Sequence, residues 1–304
     1  MKETLYLVKR NIAIFVRDYS AVFFSILSML IVLGLMVIFL GDMNSKSVVN
    51  VLQEFGGERD LAKDEENAAY LIQMWTLAGI LVVNTVTVTL TVMQNMVQDE
   101  ARGRLASFYV APVKRIKIAL GYVLAAWFIG VIMSMLTLAA GEIYMVMQGH
   151  TVLPTEDWLK LLGMVALNAF VYAALGYLVA LFIHSESAWG GMLTIVGTLV
   201  GFVGAIYLPM SQLPESIGKV LKCLPVLHGA AMMRVILTEA AIEETFTGLP
   251  DEVGEIFKEK MGITIMADGN EVTLEYQILF LLAYGIIAII IATLISKRKK
   301  VRDR

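Results

Sequence analysis

Charge is scarce in this chain. Of 304 residues only 17% are Asp, Glu, Lys or Arg, whereas 58% are apolar, and the mean hydropathy is +0.73. A soluble domain of this length needs a charged shell. Here the charges fall in blocks between long uncharged runs, the pattern of a polytopic membrane protein. The single cysteine, Cys223, excludes an intrachain disulfide and a thiolate metal site. The three histidines, His150, His184 and His228, sit far apart at span ends, which argues against metal or triad chemistry. No G-x-x-x-x-G-K-[ST] phosphate loop occurs; the only Gly-Lys pair, Gly218-Lys219, is followed by Val220. The longest stretch between spans, 209–275, is too short for a nucleotide-binding domain, so energy for any work must come from a separate subunit. Only Glu142 and Lys160 lie within apolar runs, near their ends, where they either pair or snorkel to water. A carrier coupled to protons or ions keeps such groups at the midplane and often shows an internal repeat, and neither is evident. No catalytic residue, metal ligand or nucleic-acid-binding pattern emerges.

What is present is six apolar segments of about 20 residues or more, the length needed to cross ~30 Å of hydrocarbon. They lie near 21–41, 70–93, 119–147, 158–183, 190–208 and 276–296, and all six prolines fall outside them. The first follows twenty mixed residues and is too long for a signal-peptide core, so it is expected to be a retained span. Lys and Arg decide the orientation. Residues 1–20, 94–118, 184–189 and 297–304 together hold fifteen, and the three alternate loops hold eight. Acidic residues lean the other way, six against twenty. Basic residues near span ends mark the cytoplasmic side, so both termini are expected there, with "KRKKVRDR" as the strongest marker. Within the first twenty residues Leu5, Val8, Ile12, Phe15 and Tyr19 share one face, and Lys2, Lys9, Arg10 and Arg17 the other. This spacing predicts an amphipathic helix in the inner interface, on anionic lipid headgroups, or one packed on a partner.

Two stretches carry more than anchoring requires. In "QNMVQDEARGRLASFYVAPVKRIKIALGYVLAAW", residues 94–127, the second span continues through Asp99 and Glu100 to a turn at Gly103. An apolar strip (Leu105, Phe108, Tyr109), Pro112 and the basic trio Lys114, Arg115 and Lys117 follow. Such a helix–turn–helix suits docking in a partner's groove, beside the simpler role of a positive anchor. In "GFVGAIYLPMSQLPESIGKVLKCLPVLHGAAMMRVIL", residues 201–237, three prolines separate apolar pieces too short to span. Beyond it, 239–275 predicts an acidic cap. Pro250 opens a helix with Val253, Ile256, Phe257 and Met261 on one face, and a hairpin turns at Asp268-Gly269. The first outer loop, 42–69, is expected to be part helical. Asn84, Thr87, Thr91 and Asn95 share a face of the second span, and Gly197 and Gly201 head a small-residue stripe in the fifth. These lines either hold helices together or border a route.

In order and topology the chain resembles the type-2 ATP-binding-cassette exporter permeases. The inner loop has their acid–Gly–apolar–Pro order at Glu100, Gly103, Leu105 and Pro112. The fifth span ends in their proline turns at Tyr207-Leu208-Pro209, Leu213-Pro214 and Leu224-Pro225, followed by Gly229 to Arg234. The segment 239–275 is longer than in the shorter members. The resemblance implies one all-α transmembrane domain over 1–304: six spans, an interfacial helix over 1–20, a cytoplasmic coupling helix in 94–118, an outer re-entrant helical hairpin in 209–238 and an extracellular helix/hairpin cap in 239–275. It implies a bacterial plasma-membrane exporter of an amphiphilic substrate (drug, antimicrobial peptide or lipid-like). It also implies a second permease subunit and a cytoplasmic ATPase that binds ATP and Mg in this chain's stead. Asp99, Glu100, Arg102, Gly103, Arg104, Leu105 and Phe108 would receive the ATPase's motion. Tyr207, Pro209, Leu213, Pro214, Pro225 and Arg234 would form the outer gate. The alternatives are a non-transporting scaffold or sensor and a secondary carrier. A membrane-impermeant thiol reagent is expected to reach Cys223 from outside the cell; labelling from the cytoplasmic side alone overturns the orientation.

Overall fold

The computed structural model describes residues 2–35, 41–56, 59–110, 113–267 and 269–298. In chain order these form α1 (Lys2–Arg17), α2 (Tyr19–Leu35), α3 (Gly41–Gly56), α4 (Leu61–Ala101), α5 (Arg104–Val110), α6 (Arg115–Met147), α7 (Thr155–Ala180) and α8 (Glu186–Val203). A single 3-10 turn at Met210–Gln212 leads to α9 (Glu215–Leu221), α10 (Pro225–Thr245) and α11 (Asp251–Lys260). A small antiparallel hairpin, β1 (Met266–Ala267) with β2 (Asn270–Glu271), precedes α12 (Leu274–Arg298). Pro112, Asp268 and the tail from 299 lie outside the described residues, as do 36–40 of the first expected span.

The helix boundaries follow from local chemistry. Asp60 caps α4, its carboxylate accepting from the Ala62 and Lys63 amides at 3.0 and 3.4 Å. Ser185 caps α8 in the same way through Ala188. Pro154, Pro214 and Pro250 stand just before α7, α9 and α11, and Pro225 is the first residue of α10. The expected second span runs without a break for 41 residues, about 60 Å at 1.5 Å per residue, twice the hydrocarbon thickness. It is therefore long enough to extend past the hydrocarbon at both ends, where other helices pack on it. We call the end with Ala101, where α1 and α5 lie, the basic end, and the end with Leu61, where α3 and α11 lie, the capped end.

α4 is the central rod, with α6, α7, α8 and α10 packed around it and α12 outside against α7. The helices approach closely where small residues meet larger ones. Gly130 of α6 receives Thr89 of α4 and lies beside Ala169 of α7, so three backbones converge at one level. Buried polar pairs add directional contacts between the same helices: Asn84 Nδ2 donates to Thr137 Oγ1 at 2.7 Å, and the Thr85 and Ser134 hydroxyls meet at 2.8 Å. Trp127 and Trp189 donate their indole N–H groups to the Ala166 and Leu90 carbonyls.

Two expectations change in detail, and one open alternative closes. The fifth span stops at Val203, because Ala205 adopts a left-handed backbone (φ 50°) and turns the chain before Tyr207. The buried side of α1 is centred on Asn11 and Phe15, with Leu7 set against Gly121 of α6, whereas Leu5 and Tyr19 are exposed. Glu142 and Lys160 do not pair: Glu142 accepts the Leu153 amide, and Lys160 binds Glu156 and Asp157 one turn away.

By length and composition α10 joins α4, α6, α7, α8 and α12 as a helix able to cross a membrane. Its contacts place its Thr245 end at the capped end, while its other end reaches only as far as the middle of α7, where Gly229 lies against Asn168. Thr245 donates to the Asn67 carbonyl near the start of α4. Arg234 donates to carbonyls at the end of α8 and just after α11. Val226, at the other end, lies beside Gly204. The α9–α10 hairpin thus enters and leaves by one end of the bundle. Above it, Leu52 of α3, Leu71 and Trp75 of α4, Ile242 of α10 and Phe257 and Met261 of α11 bury a second apolar cluster. Val253 packs against it and Ile256 of the same helix is exposed. Gly130→Leu is expected to cost about 1–3 kcal/mol by overpacking and to lower the Tm of the solubilised protein by several degrees. Gly163→Ala, which meets open space, should leave Tm unchanged or raise it slightly.

Candidate functional site

At the basic end one carboxylate organises four elements. Asp99, in the last turn of α4, is almost fully buried. The Arg10 guanidinium of α1 forks onto both its oxygens at 2.7 and 2.8 Å. Tyr122 of α6 donates its hydroxyl at 2.6 Å, and Arg104, the first residue of α5, lies at 3.6 Å. The Asp99 hydrogen bonds hold the Arg10 pKa above its ordinary value. Arg10 also stands over the Phe108 ring of α5, 5.4 Å from its centre. Asn95 Nδ2 donates to the Asn11 carbonyl, a further link between α4 and α1.

Past Asp99 the chain reverses. Gly103 has φ 71°, a left-handed turn that a side chain resists, and α5 runs from it with Leu105 buried. Val110 at its far end is 79% exposed. Two polar contacts reach the α7–α8 loop. Arg102 pairs with Glu186 at 3.1 Å, and His184 Nδ1 lies 3.7 Å from Glu100.

At the capped end a cation plays the organising part. Arg234 of α10 is fully buried, with no carboxylate partner among the described residues. Its guanidinium donates to the Gly262, Gly204 and Ala205 carbonyls at 3.1, 3.2 and 2.8 Å. It lies over the Trp75 ring, 4.5 Å from its centre, and Trp75 in turn donates to the Met261 carbonyl. One side chain thereby joins α4, α8, α10 and the cap. Beside it a cleft of about 470 Å³ opens between Leu213, Pro214 and Lys222 on one side and Lys260 and Thr264 on the other.

Residues 57–295 match the family described as ABC-2 family transporter protein. The chain belongs to that family. It is thus a multi-pass membrane permease subunit of an ABC transporter, a kind of subunit that works with an ABC ATPase and lacks a nucleotide site of its own. No curated protein matches the sequence.

For an ABC-2 permease, the geometry sorts the expected site residues. Glu100, Arg102, Gly103, Arg104, Leu105 and Phe108 gather around the α4–α5 turn. Asp99 faces inward, so it can act on that surface only by positioning α5. Among the expected gate residues, Leu213 packs under the 3-10 turn, Pro209 and Pro214 start the turn and α9, and Pro225 is buried at the start of α10. Tyr207 folds back over Gly201 and meets Phe202 edge-on at 5.1 Å. Gly201 is therefore covered by its own chain, whereas Gly197 borders Thr87. The α4 stripe divides: Asn84 turns to α6 and Asn95 to α1, while Thr87 and Thr91 bond carbonyls of their own helix.

Tyr122, Glu186 and Trp75 were not singled out from the sequence, and Arg10 and His184 were read only as a basic-face residue and a span-end histidine, not as partners of Asp99 and Glu100. Only Trp75, the one tryptophan of α4, carried a signal, as an amphipathic ring near a span end. Asp99→Ala, which leaves Arg10 without its partner, is expected to destabilise the solubilised protein by on the order of 3 kcal/mol. In a thermal-denaturation cycle the Asp99→Ala/Arg10→Leu double variant should lose less than the sum of the two single ones.

Proposed function

We propose that this chain is the membrane half of an ATP-driven exporter of amphiphilic molecules in a bacterial plasma membrane. Two permease copies, or this chain and a second permease, sit side by side on cytoplasmic ATPase subunits that bind ATP and Mg. The basic end faces the cytoplasm with both termini, where its cations meet anionic lipid headgroups. Substrate leaves at the capped end, past the α9–α10 hairpin.

One observation carries this reading. α5 leaves the basic end of α4 at the Gly103 turn, is fixed to it through Asp99, and holds Val110 exposed at its tip. A short helix rigidly joined to a central rod, with an apolar residue turned to water, suits seating in a partner's groove. Displacement of α5 then passes to α4 through the Gly103 turn, and to α8 through Arg102–Glu186.

Val110→Asp is expected to abolish copurification of the ATPase while leaving the permease in the membrane. Gly103→Pro, which φ 71° forbids, should retain the ATPase but uncouple hydrolysis from export, as should Glu100→Ala. Substrate-stimulated ATPase activity and transport, measured together in proteoliposomes, test this. Wild-type coupling in all three variants overturns the assignment of α5.

A further inference from the structure

A groove of about 350 Å³ opens between α2 and α4. Ser20, Ser25 and Ser28 line it from α2, and Asn84, Thr91 and Gln94 from α4. The two helices run in opposite directions, so the groove extends about 12–15 Å along them, half the hydrocarbon thickness. It begins at Asp18, where α1 and α2 meet at 72°. That elbow is at the basic end.

Polar side chains at this depth ordinarily satisfy one another. Here they do not. Among the described residues, Ser20, Ser25, Ser28 and Gln94 have no side-chain hydrogen bond. Thr91 donates to the Thr87 carbonyl, which leaves its lone pairs toward the groove. Phe24 and Val88 supply apolar wall between these groups. A row of unsatisfied hydroxyls beside apolar wall matches an occupant that is itself part polar and part apolar.

Charge narrows the class. Asp18 is the one ionisable side chain in the lining, with no Lys, Arg or His among those residues. One of its oxygens caps α2 through the Ala21 amide at 3.0 Å, and it forms no ion pair among the described residues. A lone carboxylate at the mouth of a hydroxyl-lined groove favours a cation over an anion.

We infer that this groove admits a cationic amphiphile from the adjacent lipid leaflet. Its ammonium-type head meets Asp18 and the serine row, and its chain lies on Phe24 and Val88. The inference rests on the exporter reading only for which leaflet this is and for the direction of passage.

The test uses the full-length protein in nanodiscs of zwitterionic lipid, without ATPase. The probes are a fluorescent dodecylammonium and its alcohol and sulfate analogues. The ammonium should bind. Its Kd should rise about tenfold in Asp18→Asn, since asparagine still caps a helix, and return in Asp18→Glu. Ser25→Leu/Ser28→Leu, which fills the groove, should weaken ammonium and alcohol alike, and the sulfate should bind no variant. Unchanged ammonium affinity in the filled variant overturns the inference, as does equal weakening of alcohol and ammonium by Asp18→Asn. A filled variant that loses only its dimer makes the groove a seat for a second copy and overturns it too. The elution profile and Tm of each variant show whether it has folded. Groove-dependent binding without ATP-driven export would defeat the exporter reading alone. Export that is insensitive to these variants would defeat the groove alone.

Discussion

The Asp99 carboxylate is the interaction on which the basic end depends. A buried carboxylate is costly unless its charge is met and its lone pairs are used. Here a forked guanidinium, a phenol and a second arginine meet that demand from three other helices. Because each donor comes from a different element, satisfying one group fixes α1 against α4 and α6 and sets the angle at which α5 departs. Hydrophobic burial alone would not do this in a bilayer, where lipid chains are as apolar as the helix surfaces. Directional polar contacts supply the specificity.

The opposite end solves the converse problem. Arg234 is a buried cation with no acid partner among the described residues, held by three backbone carbonyls and the face of Trp75. Two of those carbonyls are free because the chain has just left a helix: Gly204 and Ala205 follow the end of α8. The left-handed turn at Ala205 ends the span and also aims its carbonyl at the arginine. Termination of the span and anchoring of the hairpin are one event. Both ends of the rod are thus tied by a single ionised side chain that reaches several helices.

Much of this was legible because lipid imposes one-dimensional rules. Span length, the exclusion of prolines from spans and helical or turn spacing are properties of segments, and they located most of the helices, the amphipathic α1 and the helix-and-hairpin over 250–271. Partnership is a property of pairs far apart in sequence. Asp99 read as a surface acid because nothing near it in the chain reveals Arg10, 89 positions away. Asn84, Thr87, Thr91 and Asn95 do share a helical face, yet Asn84 and Asn95 are recruited by neighbours on α6 and α1. Gly201 looked free for contact with another helix until Tyr207 folded back over it. Composition also could not separate α10 from a true span. Its depth is decided by Asn67, Gly204 and Gly262, none of which lies within it.

The uninterrupted α4 has a mechanical consequence. It is helical without a break over 41 residues and holds no proline to kink it. In a rod of about 60 Å, each degree of tilt at one end moves the other by about 1 Å. Trp75 lies 24 residues from Asp99 on the same helix, about 36 Å, so each degree of tilt about the Asp99 contacts shifts it, and the arginine stacked on it, by roughly 0.6 Å. The two ends of this protein are therefore geared together by stiffness, without any chain of intermediate contacts between them.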